Sequence, residues 1–144
     1  MKLSTRTRYA MRALIELAEN NGKGPLQLKI IAERQDISIK YLEQLMAVLK
    51  SANLVRSVRG SKGGYILARP PAQIKLIEAF HCLEGTTATV ECVENEDYCS
   101  RIADCATRKV WVQVQMAIEK VLQSITLQDL VNMSEGKREL NYQI

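Results

Sequence analysis

The segment ISIKYLEQLMAVLKSANLVRSVRGSKGGYIL, residues 37–67, decides the fold. In its first half Leu42, Leu45, Met46 and Leu49 recur at helical spacing, which makes one face of a helix apolar. Ser38 suits the N-cap of that helix, and Ile37 and Leu42 on either side of it suit a hydrophobic staple. Opposite the apolar face, Ser38, Lys40, Tyr41, Gln44 and Lys50 are predicted to face solvent. The second half changes period. Residues 54–59 and 65–68 read as short β-rich runs joined by a loop holding Gly60, Gly63 and Gly64, as a tight hairpin requires.

Upstream, Ala10, Ala13, Leu14, Leu17 and Ala18 predict a first helix capped by Ser4 and stopped by Asn20-Asn21-Gly22. Leu28, Ile31 and Ala32 outline a short second helix ending near Arg34, and the turn RQDIS leads into the third. Helix, tight turn and polar-faced helix form a helix-turn-helix, whose second helix lies in the DNA major groove. A hairpin directly behind it is a wing. Arg56, Arg59 and Lys62 place cations around its tip, where they suit phosphates or a narrow minor groove.

Charge agrees with that reading. Residues 1–70 hold 13 Lys plus Arg against 5 Asp plus Glu, a balance of +8, whereas residues 71–144 hold 7 against 11, a balance of −4. Concentrated positive charge in one half is the footprint of a polyanion binder. Gln44 is expected to read adenine, Ser38 a base edge, and Lys40, Tyr41 and Lys50 phosphates, while Arg59 probes the minor groove. Enzyme chemistry finds no foothold: the chain has one histidine, no CxxC pair, no phosphate-binding glycine loop and no nucleophile elbow.

After Pro70 and Pro71 a fourth helix is predicted over 72–85, with Leu76, Phe80 and Leu83 on one face and Gly85 as its stop. Residues 86–105 read as a loop. The longest periodic run follows, in which Trp111, Val114, Ile118, Val121 and Ile125 alternate steps of three and four, the stripe of a coiled-coil seam. A long dimerisation helix is therefore expected, then a short helix over 127–133 capped by Thr126, and a polar tail that frays over 134–144. The expected fold is mainly α: a winged helix-turn-helix region (1–70) with a two-stranded wing, then a region of helix, cysteine loop and dimerisation helices (71–133), then the tail. No apolar run has the length of a membrane span and no signal-peptide pattern opens the chain, so a cytoplasmic protein is expected.

Three of the four cysteines fall in the loop segment CVENEDYCSRIADC, residues 92–105. Where thiols are kept reduced, clustered cysteines bind metal or perform redox chemistry more often than they crosslink. Three thiolates on one segment suit an iron–sulfur centre with a weaker fourth ligand. They also suit zinc, or a metal-free thiol switch, and spacing alone leaves all three open.

The blocks MKLSTRTRYAMRALIELA, ISIKYLEQL and LVRSVRGSKGGYIL, with HCLEG and ITLQDLVN downstream, resemble the bacterial winged-helix regulators of the IscR/CymR-like family as far as about residue 133. The resemblance implies a homodimer on a partly palindromic double-stranded operator, with the third helix in the major groove and the wing in the neighbouring minor groove. In the cluster-binding branch three loop cysteines, here matched by Cys92, Cys99 and Cys105, hold an iron–sulfur cluster, 2Fe-2S favoured over 4Fe-4S. Glu43 resembles a position that penalises one operator class when the cluster is absent. The other branch implies a cluster-free repressor of cysteine or sulfur metabolism, controlled by a partner enzyme or by thiol oxidation. The chain departs from the cluster-binding pattern at Arg108, where that branch has a histidine, and arginine has no lone pair for iron. Arg8 likewise supplies no carboxylate. The fourth ligand is unassigned among Glu91, Asp97, Asp104, His81 and Cys82, although Cys82 and His81 read better as a packed thiol and a helix-surface residue.

Overall fold

The computed structural model describes residues 2–142, with side chains as far as Gly136. Seven helices and one hairpin follow in the order α1 (Thr5–Glu19), α2 (Leu28–Gln35), α3 (Ile39–Ser51), β1 (Val55–Val58), β2 (Gly64–Leu67), α4 (Leu76–Glu84), α5 (Glu91–Glu94), α6 (Ala106–Ser124) and α7 (Leu127–Tyr142). The mainly helical fold with a two-stranded wing agrees with the sequence.

Local chemistry sets the boundaries. Ser4 Oγ caps α1 by accepting from the Thr7 N–H at 3.1 Å, and Ser38 Oγ caps α3 by accepting from the Tyr41 N–H at 3.1 Å. Between α2 and α3 the chain turns at Asp36, which adopts the left-handed conformation (φ 52°, ψ 50°). An aspartate tolerates that region better than most residues because its short polar side chain can bond the nearby backbone.

The hairpin is antiparallel, with Val55 opposite Leu67 and Val58 opposite Gly64. Near the turn, β2 has a further backbone partner: Leu26, between α1 and α2, exchanges hydrogen bonds with Tyr65 at 3.0 and 2.9 Å. Glycine is required here by close approach. A Cβ on Gly64 would lie 2.4 Å from the Leu26 carbonyl oxygen, and one on Gly63 would lie 2.1 Å from that of Val58.

One apolar cluster joins the winged region to later helices. Ala13, Leu14, Ile31, Leu42, Met46 and Leu49 share it with Ile74, Ala79, Leu83, Leu127 and Val131. Residues 74–76 and 125–127 meet through Leu76 N–H to the Ile125 carbonyl (2.9 Å) and Leu127 N–H to the Ile74 carbonyl (3.0 Å), which seats α7 beside the start of α4. Thr126 and Asp129 cap α7 reciprocally. The short last helix expected over 127–133 instead continues as backbone helix to Tyr142, through the stretch expected to fray; residues 143–144 lie outside the described part.

The loop expected over 86–105 holds two short helical turns, α5 and a 3-10 turn at Ile102–Asp104, neither with a buried residue. The long helix is present as α6, and no residue of its 19 is fully buried. Val110, Trp111, Met116 and Val121 are 38–64% exposed. Among the described residues no helix is long and apolar enough to cross a membrane.

Candidate nucleic-acid interface and cysteine loop

The apolar side of α3 is spent on the core: Leu42, Leu45, Met46 and Leu49 are all buried. That leaves Ser38, Lys40, Glu43, Gln44 and Lys50 exposed on the other side, as a helix entering a groove must present them. Tyr41 departs from expectation. It is half-buried, because its ring meets Tyr9 of α1 edge-on, with centroids 6.1 Å apart and planes at 88°. Lys50 is exposed but engaged, its Nζ donating to Ser57 Oγ of β1 at 2.9 Å. This bond ties the end of α3 to the wing. Arg56, Arg59 and Lys62 are exposed on the hairpin. A cleft beside α3, lined by Arg6, Tyr41, Gln44, Leu45 and Val48, adds a further cation to the same surface.

Residues that sequence periodicity does not single out hold this surface in place. Thr7 sits on the buried side of α1 at 2% exposure, where a hydroxyl needs a partner. It donates to Oε1 of Glu84, the last residue of α4, which also accepts from Ser4 N–H at 2.9 Å and Ser4 Oγ at 2.7 Å. The Thr7 hydroxyl first, then the two Ser4 donors, holds the Glu84 carboxyl below its ordinary value. Glu16, 8% exposed, is satisfied by Gln35 Nε2 at 2.6 Å and by Arg34 at 3.1 Å, so α2 is latched to α1. The signal for both latches was a polar residue at an apolar position of α1. Their partners lie too far along the chain to be inferred.

The cysteine loop, residues 86–105, begins after Gly85, the C-cap of α4. Its base is fixed by Thr87, 2% exposed, which donates to Glu119 Oε1 of α6 at 2.7 Å and accepts from Gln115 at 3.2 Å. At its far end Arg108 Nε donates to the Cys92 carbonyl at 2.9 Å, joining α5 to the first turn of α6. The histidine position of the family pattern is therefore filled by a residue that braces the loop through a backbone oxygen.

Cys92 and Cys105 are partly exposed and Cys99 is exposed. Cys105 stands at the N-cap of α6 with its sulfur 3.2 Å from Thr107 Oγ1. That hydroxyl and the Arg108 N–H hold its thiol below the ordinary cysteine value, which favours the thiolate that ligates metal. Burial raises the Cys82 thiol, which points to the Ala79 carbonyl at 3.2 Å and packs beside the core. Among the described residues no three His, Cys, Asp or Glu side chains are gathered closely enough to hold an ion. In donor chemistry the three loop thiols are of the kind an iron–sulfur cluster takes.

Residues 3–133 match the Rrf2 family, described as iron-dependent transcriptional regulators. The HTH-type transcriptional regulator CymR of Bacillus subtilis (strain 168) is 40% identical over 139 residues, 96% of this chain and 96% of that protein. The solved structure of CymR (YrzC), the global cysteine regulator of B. subtilis, superposes with a TM-score of 0.79 at 38% identity, over 92% of this chain and 98% of its own. T. potens IscR superposes with a TM-score of 0.78 at 43% identity, over 95% of this chain and 90% of its own.

Proposed function

The chain belongs to the Rrf2 family of DNA-binding transcription regulators, and from that premise we propose that it reads its operator as a homodimer through α3 and the wing, under control of the cysteine loop. It is a regulator and not an enzyme, as its relatives are. The observation that carries the proposal is the attachment of the loop at both ends. One end follows Glu84, which α1 grips through Ser4 and Thr7; the other is the first turn of α6, which Arg108 ties to Cys92.

In this reading Gln44 and Ser38 meet base edges, Lys40 meets phosphate, and Glu43 selects between sites because a carboxylate tolerates only a base that donates to it. Tyr41 is held against Tyr9 and contributes an edge to the surface. Arg59 and Lys62 enter the minor groove, while Arg56 and Lys50 meet phosphate beside it. The exposed side of α6 meets a second copy, whose α3 then falls on a half-site about one helical turn or a multiple away. Any reordering of residues 88–105 is felt at Glu84 and at the start of α6, and so in the spacing of the two reading helices.

Cys92, Cys99 and Cys105 are the ligands of an iron–sulfur cluster in this proposal, of the 2Fe-2S type. Bound there, the cluster supplies redox-sensitive links between α5, the loop and the first turn of α6. Arg108 keeps its charge and its bond to the Cys92 carbonyl, so the fourth ligand comes from another residue. Protein expressed and purified without oxygen should be brown and carry iron and acid-labile sulfide in equal amounts. Colourless, iron-free protein from the same preparation would sink the cluster, and stoichiometric zinc would replace it with a zinc site.

A second reading is cluster-free control, by a partner enzyme or by thiol oxidation. It is favoured by the separated sulfurs and by the likeness to CymR. It expects full operator binding after Cys92, Cys99 and Cys105 are all replaced by serine, where the first reading expects a changed affinity.

A further inference from the structure

The helix-turn-helix is gripped from α1 on both sides of its turn, and one residue takes part in both grips. Arg12 Nε donates to Gln35 Oε1 at 2.7 Å and its NH2 group donates to the Gln35 carbonyl at 3.0 Å. Gln35 is the last residue of α2, immediately before the left-handed Asp36. The same guanidinium lies over the Tyr9 ring, 5.2 Å from its centroid, and the Tyr9 ring meets Tyr41 in the first turn of α3. Gln35 also donates through Nε2 to Glu16 Oε1, one turn further along α1, at 2.6 Å, so both polar groups of its side chain are tied to that helix.

We infer that Arg12 is a positioning residue for operator recognition: a strut on α1 that holds Gln35 before the turn and, through Tyr9, Tyr41 after it. The inference rests on α3 being the helix that reads the operator. Exposed Lys40, Glu43 and Gln44 project from the same first turns as Tyr41, so the pitch of that segment sets which base edges they meet. Phosphate contacts tolerate a small rotation of the helix, because long flexible side chains follow the backbone of the duplex. Bidentate base contacts do not. Removing the strut therefore costs base discrimination before it costs binding to nucleic acid as such.

An exposed arginine near a basic surface has an obvious competing use as a phosphate ligand. The two uses differ in what they demand of the side chain. A strut needs the planar fork for two bonds to Gln35 and the flat cation for the ring, which lysine cannot reproduce. A phosphate ligand needs only the charge, and its loss shows in the salt dependence.

The experiment compares binding to a duplex that the protein selects from a random pool with binding to a scrambled duplex of equal composition. Arg12→Lys and Arg12→Met should each lower the preference roughly fivefold per half-site, the size of one exposed cation–π contact, with the salt slope on the scrambled duplex unchanged. Tyr9→Phe, which keeps the ring edge, should behave as the wild type, and Tyr9→Leu should behave as Arg12→Met. The Tyr41 ring resonances should move in Arg12→Met. If Arg12→Lys keeps full preference while Arg12→Met loses about 0.9 from the slope per half-site, Arg12 is a phosphate ligand and the strut is overturned. Equal loss on both duplexes together with a lower melting temperature overturns it as well, in favour of a purely structural role. Gln44→Ala on the same pair separates the two levels: an unchanged preference would overturn α3 as the reading helix, whereas a lowered preference with unaffected Arg12 variants overturns the strut alone.

Discussion

Ser38 carries two tasks with one hydroxyl. Its oxygen accepts from the Tyr41 N–H and so caps α3, while its own hydrogen stays available to a base edge or phosphate. Ser38→Ala should therefore cost about 1 kcal/mol of stability, the usual worth of an N-cap, read as a lower urea midpoint, and also weaken operator binding. Ser38→Asn keeps the cap and should lose only the binding. Glu84 makes a pH-dependent contribution. Its carboxyl is held below the ordinary glutamate value by the Thr7 hydroxyl and the Ser4 donors, so the stabilisation from these bonds is fully present above that ordinary value, about pH 4.3, and is lost as pH falls through the lowered one. Wild type and Glu84→Gln should differ in urea midpoint at pH 7 and converge in strong acid. At this scale the sequence is legible wherever the chemistry is local. Ser4 and Ser38 could be named as caps because a cap and its N–H are three residues apart. Thr7 and Glu84 could not be paired, because 77 residues separate them and only the packing of α1 on α4 brings them together.

At the scale of elements, α1, α2 and α3 were readable because each has an apolar face of helical period and a marked end, and the wing because two β-rich runs flank a glycine-bearing loop. Helix α7 was not. Ser134, Glu135 and Gly136 break its apolar period after Met133, yet the backbone carries the helix to Tyr142. The Leu26 bridge to the wing was equally hidden, since two residues contribute backbone groups alone and leave no pattern in side chains. In the candidate site the exposed positions of α3 followed from periodicity, whereas the Lys50–Ser57 tether and the brace from Arg108 to Cys92 required coordinates. Helix α6 is the element whose faces are least matched to its surroundings. Trp111 is 38% and Val121 55% exposed, so two members of the seam leave apolar surface uncovered in the single chain. Trp111→Glu together with Val121→Glu should shift the protein from dimer to monomer by sedimentation equilibrium and weaken operator binding at least tenfold. A double variant that stays dimeric would move the seam elsewhere.

The whole molecule is electrically divided. The +8 half contains α1 to β2 and the −4 half contains α4 to α7, although one apolar core spans both. A molecule so divided approaches a polyanion with its reading surface first, which raises the encounter rate in low salt. If six to ten phosphates are neutralised per dimer, log affinity should fall against log salt with a slope of about −5 to −9. A flat dependence would remove the basic half from the interface. The uncovered stripe of α6 has one more consequence. A helix that completes its packing only on a second copy makes thermodynamic resilience depend on abundance: each tenfold rise in chain concentration adds about 1.4 kcal/mol to the folded dimer. The melting temperature should climb between dilute and concentrated samples of the wild type and stay level for the α6 double variant. A scarce regulator of this design would be fragile while its copies are few and would harden as they accumulate.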